Sequence, residues 1–387
     1  MSSQSIKAGF IFCAAVLSGA CGSGDDYASP GSENDDDAAE LQALADSVVA
    51  EGVPGVLVLS RRGNQVLQVA SGVADLETAR PIDNSDLVRI ASLTKTYVAT
   101  IILQLAEDHM LSLSDRIDDW LPGMLSASGH VTVEQLLRHE SGIYDFADDP
   151  RTFAPYLDGD WGYAYSPAQL VGMAGEHERL FDAGTKQSYS NTNFTLLGMI
   201  AEAATGTQFE TIFDERIVQP LGLEATSFAR AQGFAGAHSH GYIPLDGQNL
   251  DVTEVSPSVL YGCGNVISNT KEVAVFFRAL VDGELLTPES LTAMMTPDPA
   301  TVSPDYVPAE GRGQARGLGI ELQPGLPCGA FVGHGGQSVG YYARSYQSED
   351  GERQFVVVAN ASTIDDKVGS EAAIAKFNEL TFAAACR

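Results

Sequence analysis

The chain reads as an α/β (α+β) fold: an antiparallel sheet built from both chain ends with flanking helices, and an all-helical subdomain inserted between them. Three observations predict it. Strand-like runs lie early, at Gly55 to Ser60 and Gln65 to Ser71. Helix-periodic segments fill the middle. Strand-like runs return late, at Leu318 to Leu322, Val339 to Tyr346 and Gln354 to Asn360. Elements of one type at both ends and another type between them imply one sheet closed from both termini. The active site is then expected at the seam of the two parts.

The elements follow in order. An amphipathic helix is expected from Ala38 to Ala50, ahead of the two early strands and their turn, Arg62-Gly63-Asn64. Leu87 to Ile90 reads as a short strand that feeds a long apolar-periodic helix, Leu93 to Asp108. Further helices are expected at Val133 to His139, Pro167 to Glu176, Asn193 to Ala203, Phe209 to Gln219 and Lys271 to Leu280. A closing helix is expected at Ser370 to Ala384. Gly and Pro punctuate these segments, and no internal repeat is present. The domain scheme is 1–20 signal, 21–37 tether and 38–387 folded domain, with sheet parts near 38–90 and 315–387 and a helical part near 91–314.

Composition narrows the function. A chain of 387 residues with 44% hydrophobic residues has ample material for a core. Its formal net charge of −29 argues against nucleic acid or an anionic membrane surface as partner. Lys7 precedes the apolar run Ala8 to Leu17, which is too short to span a bilayer and breaks at Ser18-Gly19-Ala20. This reads as an export signal. Cys21 behind it fits a lipid attachment site, although Leu17 stands four places before the cysteine where three is usual; plain secretion after cleavage at Ala20 also fits. The stretch Gly22 to Asp37 reads as a flexible acidic tether. The expected location is outside the cytoplasm, on the periplasmic or exterior side of a bacterial membrane, held by the lipid alone. In that oxidising setting Cys328 and Cys386 are the better pair for a disulfide, worth roughly 2 to 4 kcal/mol, with unpaired thiols as the alternative.

Three short motifs carry the chemistry: Ser92-Leu93-Thr94-Lys95, Tyr189-Ser190-Asn191 and Gly333-His334-Gly335-Gly336. Ser92 and Lys95, three apart at the start of a helix, share one face within hydrogen-bond reach. A lysine desolvated among Val, Ile and Leu has a lowered pKa and can accept a proton. Ser92 as a plain helix cap is the alternative. Tyr189 near these cations is expected to favour phenolate and relay protons, or to be an ordinary half-buried tyrosine; Asn191 orients Lys95 or caps a helix. The glycines around His334, which open a strand, let a substrate backbone approach its edge, and His334 can hold a proton near Tyr189, with a structural histidine as the alternative. A second Ser-x-x-Lys, Ser268 to Lys271, reads as a helix start capped by Ser268 or Thr270. Gly336-Gln337-Ser338-Val339-Gly340 matches a nucleophile elbow, but no histidine follows His334 to complete that triad. His238-Ser239-His240 lacks further ligands at metal spacing and reads as a loop.

The order and spacing of the three motifs resemble the penicillin-recognising serine hydrolases, which comprise DD-peptidases, class C β-lactamases and their esterase relatives. Arg89 to Thr96, Leu136 to Gly142 and Pro220-Leu221-Gly222-Leu223 extend the likeness over roughly Gly55 to Ser362. The resemblance implies acylation of Ser92, with Lys95 and Tyr189 sharing the base role, Asn191 orienting, and His334 replacing the lysine of the K-T-G form. It implies an oxyanion hole from the N–H groups of Ser92 and Gln337, substrate along Gly335 and Gly336, and no metal or organic cofactor. His334 leans away from class C β-lactamases, toward D-alanyl-D-alanine carboxypeptidases and D-amino-acid peptidases or esterases, and the first expectation is a carboxypeptidase acting on peptidoglycan stem peptides. Gly335 lacks a hydroxyl that relatives use for a terminal carboxylate, which keeps esterase, D-aminopeptidase and β-lactamase activity open. The expected substrate is a small peptide, ester or lactam and the expected state a monomer. A non-catalytic cell-wall-binding lipoprotein is the remaining alternative.

Overall fold

In the computed structural model the described residues are 32–125, 127–245, 248–310, 313–326, 328–362 and 370–387. The signal segment, Cys21 and the first part of the tether lie outside them. The first helix, α1 (Ser32–Ala50), begins six residues earlier than expected, so residues 32–37 are helical rather than tether. Acidic residues favour the N-terminal end of a helix, and Asp37 with Glu40 pairs with Arg387 at the far end of the chain.

Among the described residues thirteen strands follow: β1 (Gly55–Arg62), β2 (Gln65–Asp75), β3 (Arg80–Pro81), β4 (Val88–Arg89), β5 (Ser227–Phe228), β6 (Tyr242–Leu245), β7 (Gln248–Asp251), β8 (Val266–Ser268), β9 (Ala315–Arg316), β10 (Glu321–Leu326), β11 (Gly329–Ser338), β12 (Tyr341–Ser348) and β13 (Arg353–Ala359). Among the described residues the main sheet has eight strands in the order β3-β2-β1-β13-β12-β11-β10-β9, and each neighbouring pair is antiparallel. The two chain ends meet at its centre, where β1 pairs with β13 from Val56↔Ala359 to Arg62↔Arg353. Gly55 to Arg61 is buried throughout because both faces are covered. Val56 and Val58 face α1 and the closing helix Glu371–Cys386, while Leu57 and Leu59 face helix Thr270–Val281 and belong to the same core as helix α2 (Thr94–Glu107). The disulfide Cys328–Cys386 joins the β10–β11 turn to the end of the closing helix.

The inserted part holds helices such as Asn191–Thr205 but is not all-helical: its β5 and β8 form a small sheet with β4 in the order β4-β8-β5, and β6–β7 is a hairpin. Helix Thr270–Val281 is capped by Asn269, whose side chain accepts the Glu272 N–H, so neither Ser268 nor Thr270 takes that role. Ser268 instead bonds Thr226 at 2.8 Å. The expected single strand opened by the His-Gly-Gly run is two strands. The glycines lie in the second half of β11, and Gly340, with φ of 82°, turns the chain into β12. The strand expected from Leu318 starts only at Glu321, because Gly319 is spent on packing: at φ of 70° it lies so close to α2 that a Cβ there would sit 2.5 Å from the Ala99 Cβ.

Candidate active site

The chain reaches Ser92 through β4, and the Ile90 N–H bonds to the Val266 carbonyl. Ala91 then takes φ of 54°, a left-handed conformation that costs a non-glycine residue roughly 1 to 2 kcal/mol. A single 3₁₀ turn, Ala91–Leu93, leads into α2. The sharp reversal presents Ser92 Oγ at the join between helix and sheet; such strain persists where surrounding packing holds it.

Lys95 lies one turn on and is wholly buried. Its ammonium donates to Ser92 Oγ at 3.0 Å, Asn191 Oδ1 at 2.9 Å and the Cys263 carbonyl at 2.7 Å. All three donors are therefore used. Burial lowers its pKa to about 8, against the opposing pull of Cys263 and Asp145. A usable fraction is neutral near physiological pH, and a neutral amine held against a serine hydroxyl can take its proton.

Tyr189 sits just before helix Asn191–Thr205, and its hydroxyl donates to Ser92 Oγ at 2.9 Å. Its ring stacks on His139, with centroids 4.4 Å apart; Lys95 Nζ lies 4.8 Å and the Arg316 guanidinium 5.4 Å from the ring centre. The expected phenolate is not favoured. Burial pushes the Tyr189 pKa well above its ordinary value, outweighing the bond to Ser92 and the charge of Arg316. The phenol keeps its proton and is placed to pass it on. His139 is also buried and held well below its usual pKa, and its Nδ1 accepts the Ser190 N–H at 3.1 Å.

Asn191 is the first residue of its helix and Ser190 the cap position, so its side chain is free for other work. The Oδ1 faces Lys95, while Nδ2 and the backbone N–H both donate to Asp145 Oδ2, at 2.8 and 3.0 Å. These bonds fix which way round the amide sits. Asp145 is buried, and burial pushes its pKa up to about 6. Sequence reasoning passed over it, although it stands three residues beyond the Leu136 to Gly142 run.

The strand edge of β11 completes the site. β10 pairs with it only as far as Glu321↔Gly333, and beyond that point the edge opens. The Gly335 N–H donates to Glu321 Oε2 at 3.1 Å, on the open side. Alternate N–H groups of a strand point to the same edge, so the Gln337 N–H faces the opening too. At Gly336 a Cβ would lie 2.5 Å from Ser92 N and 3.0 Å from Ser92 Cβ, an approach that only glycine allows. Two backbone N–H groups, of Ser92 and Gln337, can thus face one oxygen at the mouth of the gap.

His334 is buried on the face that carries Gly336. Burial lowers its pKa to about 4, with Glu321 opposing, so the ring is neutral at pH 7. Its Nδ1 bonds the Gly335 carbonyl, which can only accept, so Nδ1 carries the proton and Nε2 a lone pair. The ring lies 6.5 Å from that of Tyr189. Arg316 and Glu321, unmarked in the sequence, arrive through the β9–β10–β11 register. Away from the site, Ser338 is buried at the end of β11 with its hydroxyl unpartnered, and His240 Nδ1 meets Asp251 Oδ2 at 2.7 Å.

The sequence profile described as Beta-lactamase matches residues 39–377. Penicillin-binding protein 4* of Bacillus subtilis (strain 168) is 26% identical over 343 residues, covering 83% of this chain and 71% of that protein. The crystal structure of a D-stereospecific amidohydrolase from Streptomyces sp. superposes with a TM-score of 0.76 at 32% identity, over 87% of this chain and 97% of that one. The D-amino acid amidase of Ochrobactrum anthropi SV3, complexed with L-phenylalanine amide, gives 0.77 at 26% identity, over 90% and 97%.

Proposed function

The chain belongs to the beta-lactamase family of serine hydrolases, and on that premise we propose that it cleaves amide bonds on the carbonyl side of a D-amino-acid residue through an acyl-enzyme on Ser92. The observation that carries this reading is the pair of contacts on one oxygen: Lys95 Nζ at 3.0 Å and Tyr189 OH at 2.9 Å from Ser92 Oγ. A serine oxygen so held can lose its proton as it bonds to the substrate carbonyl carbon. The proton goes to the Lys95–Tyr189 pair, and the carbonyl oxygen, now anionic, meets the N–H groups of Ser92 and Gln337. A donor of that kind is worth about 3 kcal/mol. Collapse breaks the C–N bond, and Tyr189 delivers a proton to the departing nitrogen. Water, deprotonated by the same pair, then releases the acyl group as the acid and restores Ser92. Asn191 holds Lys95 in place, and neutral His334 offers Nε2 as an acceptor near the leaving group.

The D-configuration is carried by the similarity to the D-stereospecific amidohydrolase and the D-amino acid amidase. A second reading, a D-alanyl-D-alanine carboxypeptidase, is favoured by Arg316, a cation beside Tyr189 that can face a terminal carboxylate. Export and lipidation at Cys21 belong to the proposal on the strength of the sequence. The test is mass spectrometry of the intact protein after exposure to a D-phenylalanine ester or a β-lactam. An adduct on the Ser92 peptide supports the reading, and an adduct elsewhere, or none with any acyl donor, refutes it.

A further inference from the structure

At the leaving-group end of the cleft a guanidinium with an unbonded Nε stands beside a buried carboxylate. The carbonyl to be attacked lies against Gln337, and Gly335 is two residues along β11, roughly 7 Å away. Tyr189, the proton donor to the leaving group, faces this end, so the groups around Gly335 and Tyr189 meet whatever departs. One is Arg316, 24% exposed, whose Nε is buried with no hydrogen-bond partner and lies 3.6 Å from Glu321 Oε1. The other is Glu321, buried, with Oε2 accepting from Gly335 N at 3.1 Å and the Tyr346 hydroxyl at 2.6 Å. Glu321 lies directly against Gly335: a Cβ there would just fit, in contact with the Tyr346 hydroxyl at 3.5 Å and Glu321 Oε2 at 3.7 Å. Where relatives carry a hydroxyl, this chain presents a carboxylate.

The other charges do not alter the balance. Arg344, opposite Gly335 on β12, is turned toward the closing helix, bonding Asn378 Oδ1 at 2.9 Å and the Tyr342 hydroxyl. Lys95 is committed to Ser92, Asn191 and the Cys263 carbonyl. A buried carboxylate this close to a guanidinium holds it in place and cancels most of its attraction for a second anion.

Building on the proposed Ser92 acyl-enzyme, we infer that Glu321, acting on Arg316, is the residue that selects the leaving group, favouring uncharged leaving groups over those bearing a carboxylate. The preferred substrates are D-amino-acid amides, esters and carboxyl-blocked peptides. Glu321 touches neither Ser92 nor the scissile carbon. It acts on specificity through Arg316 and through the N–H of Gly335.

The experiment compares two substrates that share one scissile bond: an N-acylated peptide ending in D-Ala-D-Ala, and the same peptide as its C-terminal amide. The wild-type enzyme is expected to show the higher kcat/KM on the amide form. Glu321→Gln, which keeps an acceptor for Gly335 N–H and Tyr346, is expected to move the ratio at least tenfold toward the free carboxylate. Arg316→Gln is expected to move it the opposite way, which keeps the proposal testable should the first variant fold poorly. A wild-type preference for the carboxylate, or an unchanged ratio in both variants while Ser92 is still acylated at the wild-type rate by a neutral ester, overturns the inference alone. Absence of any Ser92 acyl-enzyme in the wild type overturns the proposed function with it.

Discussion

The pocket behind Ser92 and the edge of β11 in front of it differ in how completely their polar groups are spent. Behind Ser92, the three donors of Lys95 have partners, the Asn191 amide is held at both ends, and Asp145 accepts from two groups of Asn191 and from the Ala147 N–H. In front, Arg316 Nε is buried without a hydrogen bond, Gly335 brings no side chain of its own, and Gly336 is bare backbone against Ser92. Proton transfer needs groups held to a fraction of an ångström, and saturated hydrogen bonding supplies that. Binding needs capacity to spare. The first region therefore sets whether a bond can be broken, and the second sets which bond.

The largest expected effect tests the first half of that division. Ser92→Ala should abolish covalent labelling by β-lactam or ester and cut turnover by more than about 10⁴-fold, as expected for a member of a catalytic unit. Labelling that persisted in this variant would move the nucleophile elsewhere. Next is Tyr189→Phe, expected to lower kcat by about 10²- to 10⁴-fold. The ring should stay stacked on His139, so an unchanged circular-dichroism melt separates lost proton transfer from lost fold. A rate within threefold of wild type would remove Tyr189 from the reaction. On the strand side, Gly336→Ala puts a methyl 2.5 Å from Ser92 N and must displace one oxyanion donor. A loss on the order of 10² in kcat, with ester and amide substrates affected alike, is the expected result. A selective loss on one class would blur the line drawn between the two regions.

The same contrast governs how much the sequence disclosed. Ser92 with Lys95, and Tyr189 with Asn191, are each a few residues apart, so local spacing was enough to mark them. The sheet was legible because strand-like runs of Val, Leu and Ile bracket a helical middle. Arg316 and Glu321 were not legible. Nothing local distinguishes them, and they reach Gly335 only through a register that pairs Glu321 with both Arg316 and Gly333. Asp145 escaped notice because its partner stands 46 residues away, beyond any helical or strand period. The protonation state of Tyr189 was misjudged for a related reason. Neighbouring cations could be guessed from motifs, whereas complete burial of the phenol could not, and burial dominates.

The smallest expected effect concerns Asp145, and it asks whether the saturated pocket tunes the base or merely holds it. If neutral Lys95 accepts the proton from Ser92, kcat/KM should climb with pH and level off above a midpoint near 8, where burial places the ammonium. Asp145 is ionised across that limb, since its own pKa is about 6. Its negative charge favours protonated Lys95 and so holds the midpoint up. Asp145→Asn is nearly isosteric and leaves an oxygen for Asn191, but removes that charge. The limb should then shift to lower pH, while kcat at the plateau changes only severalfold. A purely architectural Asp145 would lower the plateau and leave the midpoint where it was, because loosening a hydrogen-bonded amide alters how often Lys95 is in place and not how tightly it holds its proton. Measured from pH 6 to 10 with a neutral ester, the two outcomes separate cleanly. A shifted midpoint makes the buried chain Asp145–Asn191–Lys95 one electrostatic device, reaching the reaction through an amide whose orientation Asp145 itself imposes.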